Sequence, residues 1–129
     1  MVLTLTTRFD QALTYAAQIH RQQQRKLPPV PYLSHLLGVA ALVLEDGGTE
    51  DEAIAALLHD TVEDQGGDAV RREIEHQFGS QVGAIVMGCT VRPPLPGQSW
   101  RSHKHAYLAQ IRGASPGVHR VILADKLHN

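Results

Sequence analysis

The chain has 129 residues, 43% of them apolar and 19% charged, with a formal net charge of −1. That is material for one compact core and too little for two ordinary domains, and it excludes a disordered chain and a general nucleic-acid or membrane-surface binder. The one cysteine, Cys89, excludes an internal disulfide framework.

No stretch approaches the roughly 20 apolar residues of a membrane span. The opening "MVLTLTTRFDQALTY" lacks the basic-then-apolar layout of a secretory signal. A reducing, cytoplasmic location is the expectation.

Taken in chain order, residues 6–23 set Phe9, Leu13, Ala16 and His20 at helical spacing, with Thr7 a candidate cap. "RKLPPVPY" (25–32) holds three prolines and predicts an ordered loop. Residues 33–48 predict a helix closed by Gly47-Gly48. Residues 49–64 open with Thr49 and Glu52, the spacing of a capping box, and predict a single helix stopped by Gly66-Gly67. Two helices follow over 68–78 and 80–91, parted at Gly79, and then a second proline-rich loop, "RPPLPGQS" (92–99). Residues 100–114 predict a helix, as do 116–129, where Pro116 suits a first turn. No period-two alternation and no internal repeat appears. The expectation is all-α: a single-domain helical bundle of six or seven helices over 1–129. "VILADKLHN" is still in helical stride at residue 129, so the C-terminal end reads as truncated or incomplete, or as a fraying turn.

The stretch "ALLHDTVED" (56–64) spends His59, Asp60, Glu63 and Asp64 within six positions after an apolar run. On a wheel of about 100° per residue these four fall within an arc of about 140°. Ile54, Leu57, Leu58 and Val62 lie opposite, and only Ala53 and Ala56 sit above the acidic group. From this helix alone, a capped and solvated helix end explains the pattern as well as a site does. His35 near the start of one apolar helix and Asp125 after another apolar run supply further donors. Together with His59 and Asp60 they make a nitrogen–oxygen set suited to a divalent manganese, iron or zinc ion. Ligands on separate helices are how bundles build such sites.

His35, His59-Asp60 and Asp125 resemble the H…HD…D signature of the HD-domain phosphohydrolase superfamily. "QRKLPPVPYLSHLLGVA", "AALLHDTVED", "FGSQV" and "LADKLHN" further resemble the hydrolase domain of the RelA/SpoT family and its small stand-alone relatives. The resemblance implies an HD-type bundle that removes the 3′-diphosphate of guanosine tetra- and pentaphosphate. It implies that His35, His59, Asp60 and Asp125 bind one divalent ion, manganese or another, and that Glu63 and Asp64 position and deprotonate the attacking water. Arg25 and Lys26 match residues that contact the nucleotide, and Asn129 matches one that bonds its nucleoside part. The segment 92–104 departs from the longer enzymes of that family; Lys104 is the cation there expected to meet a second phosphate.

The implied partner is an anionic nucleotide, with neither nucleic acid nor membrane, and a homo-oligomer is compatible with the sequence. Alternatives are a phosphohydrolase for another nucleotide or phosphomonoester, and a regulatory module that binds without turnover. His20, His128 and Cys89 are read as structural, and His76 and His119 are given no role. Tyr32 either stacks on a ligand or packs beneath the first proline-rich loop.

Overall fold

The computed structural model describes residues 2–65 and 67–129, the side chains of Asp64 and Gln65 excepted. Its elements are α1 (Thr7–Ile19), α2 (Leu33–Glu45), α3 (Glu50–Leu58), α4 (Thr61–Gln65), α5 (Gly67–Phe78), α6 (Ser80–Cys89), α7 (Trp100–Arg112) and α8 (Pro116–His128). Among the described residues no strand forms; a lone bridge pairs Gln24 with Pro31 and closes the first proline-rich loop. Taking α3 and α4 as the one interrupted run that the spacing predicts leaves seven helices among the described residues, within the expected six or seven.

Local chemistry sets most helix ends. Thr49 accepts from the Glu52 amide at 3.1 Å and Glu52 bonds back to the Thr49 amide at 2.9 Å, so the capping box is complete. Gly47 turns the chain out of α2 with φ of +82°, a conformation that costs glycine little. Ser115 caps α8 and Pro116 occupies its first turn. The cap of α1 is Thr6, whose hydroxyl accepts from the Arg8 amide at 3.3 Å, one residue earlier than Thr7.

The core is organised around α3, against which α1, α2, α6 and α8 all pack. Every residue from Ala53 to Leu58 is fully buried. This corrects the wheel: Ala53 and Ala56 are enclosed in the core rather than set above an outward acidic face. The single helix predicted over 49–64 is corrected as well. It stops at Leu58 and resumes at Thr61, leaving His59 and Asp60 between the two pieces. The His59 ring explains the break. Its Nδ1 donates to the Ala56 carbonyl at 2.7 Å, and that carbonyl is the one an unbroken helix would offer to the Asp60 amide.

Ion pairs tie the ends of the bundle together. Arg8 reaches Glu50 and Asp51 at the start of α3 and the Phe78 carbonyl at the end of α5. Arg120 on α8 pairs with Asp46 and Glu52. These fix α8, and so Asp125, against the α2–α3 corner. No helix among the described residues is long and apolar enough to cross a membrane.

Candidate metal centre

His35 stands in the first turn of α2, His59 and Asp60 at the α3–α4 break, and Asp125 in the last turn of α8. One donor atom from each lies within 4.8 Å of all the others. His35 Nε2 is 2.8 Å from Asp125 Oδ1, and His59 Nε2 is 3.2 Å from that same oxygen and 3.2 Å from Asp60 Oδ2. Both imidazoles are buried and both carboxylates half-buried. Each histidine thus turns Nε2 inward to the carboxylates and Nδ1 outward: His59 to the Ala56 carbonyl, His35 to His128 Nδ1 at 2.9 Å.

The electrostatics follow from that grouping. Burial alone would lower the His59 pKa, but hydrogen bonds to Asp125 and Asp60, with the charge of Asp60, outweigh it and raise it to about 10. Burial would raise the two carboxyls; the hydrogen bonds and charge of the histidines hold both below the usual carboxylate range instead, Tyr32 adding to the effect at Asp60. Two carboxylates and two imidazoles at this spacing share protons that a cation can replace. The donor set is that of a borderline or hard divalent ion.

Glu63 is exposed in α4, and its Oε1 accepts a short hydrogen bond from the Val91 amide. It also lines a cavity of about 870 Å³ with Asp68, Met87, Arg92, Pro93 and His103. The four clustered residues do not line this cavity, whereas Glu63 does. The expected partner of Glu63, Asp64, has its side chain outside the described residues.

Three of the four remaining expected residues, Arg25, Lys26 and Asn129, belong to the first proline-rich loop and the end of α8. Arg25 Nη2 donates to Asn129 Oδ1 at 3.1 Å, while Arg25 Nη1 is buried with no acceptor in reach. Lys26 is exposed on the same loop. Lys104 lies elsewhere, its Nζ 5.1 Å from the ring centroid of exposed Trp100. Of the basic side chains on 92–104, Arg92 and His103 are the ones that line the cavity, joined by a 2.6 Å bond from the His103 ring to the Arg92 carbonyl.

Three supporting contacts escaped the sequence reading. Tyr32 donates a short hydrogen bond to Asp60 Oδ2, a contact that neither of its two expected roles named. His20, fully enclosed, packs its ring 5.4 Å from that of Tyr32 and bonds Gln23 at 2.7 Å. His128 contacts His35. The one cue in the sequence was that each sits within three residues of, or a helical turn from, a residue of the matched motifs. Cys89 is a core residue as expected: burial, with the nearby carboxylates, pushes its thiol up to about 12, far from a thiolate nucleophile.

Comparison with known proteins agrees with this geometry. A family model described as HD domain matches residues 12–129. The guanosine-3′,5′-bis(diphosphate) 3′-pyrophosphohydrolase MESH1 of Homo sapiens is 42% identical over 122 residues, covering 92% of this chain and 65% of the human protein. The chain therefore spans just under two thirds of that relative's length. MESH1 of Drosophila melanogaster is 35% identical over 127 residues, covering 96% of this chain and 68% of the fly protein. The solved structure of a metazoan orthologue of SpoT that hydrolyses ppGpp superposes with a TM-score of 0.82 at 31% identity, covering 98% of this chain and 70% of that one. The chain belongs to the HD domain family and is homologous over most of its length to the MESH1 and RelA/SpoT hydrolase domains.

Proposed function

We propose that the protein hydrolyses the 3′-diphosphate of guanosine tetra- and pentaphosphate, leaving GDP or GTP and releasing pyrophosphate. The observation that carries this reading is the convergence of His35, His59, Asp60 and Asp125 within 4.8 Å, in a chain 42% identical to a human hydrolase of that nucleotide class. A divalent ion held there, manganese in this reading, would lower the pKa of a bound water and offset the charge of the phosphates.

The protein's own groups do the rest. Glu63, held by the Val91 amide, takes a proton from the attacking water, with Asp64 assigned beside it. The water oxygen bonds to the phosphorus on the ribose 3′-oxygen, the bond between that phosphorus and the 3′-oxygen breaks, and the 3′-oxygen leaves with a proton. Arg25, with one guanidinium nitrogen buried and without an acceptor, suits an anionic or planar nucleotide group. Lys26 adds charge on the same loop, Asn129 meets the nucleoside part, and Lys104 is assigned to the far phosphates.

A second reading keeps this chemistry on another nucleotide or phosphomonoester. The cavity beside Glu63 favours it, because its wall is Arg92 to Pro94 and His103, the segment that departs from the longer alarmone enzymes. The deciding experiment is product analysis on a panel of guanosine tetraphosphate, GTP, GDP, several dNTPs and a generic phosphomonoester. Pyrophosphate from the tetraphosphate alone supports the first reading. Turnover of a different substrate alone supports the second, and binding without turnover supports the regulatory module.

A further inference from the structure

The two histidines of the cluster are built alike, except in what holds their outer nitrogen. His59 Nδ1 meets a backbone carbonyl, that of Ala56, at 2.7 Å. His35 Nδ1 meets a side chain, His128 Nδ1, at 2.9 Å. A histidine that gives the lone pair of Nε2 to a cation must carry its proton on Nδ1, and that N–H needs an acceptor. His128 supplies one when its own proton sits on Nε2.

The place of the His128 ring is equally specific. A Cβ on Gly38 would lie 2.1 Å from His128 Nε2 and 2.3 Å from Cδ2. Gly38 is three residues beyond His35 on α2, so the two share a helix face, and the ring occupies the recess left by the missing Cβ. Glycine in mid-helix is disfavoured relative to alanine, so the recess stands against helix propensity in a helix whose inner face buries His35, Leu36, Val39, Ala40 and Val43. The ring is also 5.0 Å, centroid to centroid, from that of His35.

We propose that His128 is a positioning residue: seated in the recess at Gly38, it holds the ring and tautomer of His35 with Nε2 presented to a divalent cation. This rests on the metal reading above. It assigns work to a residue that the sequence alone marks as merely structural.

The test uses the full chain and Mn²⁺, with free ion followed by electron paramagnetic resonance. His128→Ala should weaken Mn²⁺ binding about 10- to 100-fold with helix content unchanged, since the residue is exposed at the end of α8. Gly38→Ala should weaken it in the same way by displacing the ring. The double variant should be no worse than either single one, because the recess no longer has an occupant to displace. His128→Gln, whose amide oxygen can accept the same proton, should recover part of the affinity. Unchanged affinity in His128→Ala, or losses that add in the double variant, would overturn the proposal while leaving the metal reading intact. A wild-type chain that binds no Mn²⁺ would overturn both.

Discussion

His59 and Asp125, 66 residues apart in the chain, meet with Nε2 3.2 Å from Oδ1. The pairing, with the charge of Asp60, favours the protonated form of His59 and so sets cation binding in competition with a proton. Because the His59 pKa is raised to about 10, Mn²⁺ affinity should tighten by about tenfold per pH unit for each proton displaced. Titrations at pH 6.5, 7.5 and 8.5 measure the slope. A flat profile across that window would remove the proton from the account.

The same pair sets the stability of the metal-free protein. His59 rises from an ordinary 6.5 to about 10 on folding, so its contribution is complete below pH 6.5 and is lost as the pH climbs through 10. Asp60 and Asp125 are held below the ordinary 3.8, so theirs is complete above that value and is lost as the pH falls through their lowered values. Thermal melts in chelator should therefore give the highest Tm between about pH 4 and 6.5 and a falling one toward pH 10. A metal-free Tm that rises steadily from pH 6 to 10 would show that the histidine is neutral.

Glu63 carries no part of the cluster, so removing its carboxylate separates binding from turnover. Glu63→Gln should leave Mn²⁺ affinity within the range of the wild type and lower kcat by roughly 10²- to 10⁴-fold, the usual worth of a general base. Asp60→Ala should lose both. Equal metal loss in the two variants would reject the division of labour.

Tyr32 acts on Asp60 through its hydroxyl, while its ring rests against His20. Tyr32→Phe keeps the ring and deletes the hydrogen bond. Mn²⁺ affinity should fall by about 10- to 100-fold with the Tm of the chelated protein nearly unchanged. A large drop in Tm with normal affinity would mark the tyrosine as packing alone.

The helices were legible because their ends are written locally: Thr49 and Glu52 stand three apart, Gly47 and Gly79 fall where α2 and α5 stop, and Pro116 opens α8. The four clustered residues were legible as a motif and by their donor chemistry. What stayed hidden is either long-range or a competition between two local bonds. His128 and His35 are 93 residues apart and Tyr32 and Asp60 are 28 apart, and no periodicity announces such pairs. The break at His59 arises because a ring nitrogen takes a carbonyl that a helix would also use; His59 and Glu63 at four-residue spacing fit an unbroken helix equally well. The burial of Ala53 and Ala56 was missed because alanine suits a solvated helix face and a crowded core alike.

The most direct measurement is pyrophosphate release from guanosine tetraphosphate by the wild-type chain with Mn²⁺, after chelation, and after Mn²⁺ is restored, with Asp60→Ala run alongside. Release that stops on chelation, returns with Mn²⁺ and never occurs in Asp60→Ala is the predicted result. Release that persists in excess chelator, or in Asp60→Ala, would contradict a hydrolase built on the cluster of His35, His59, Asp60 and Asp125.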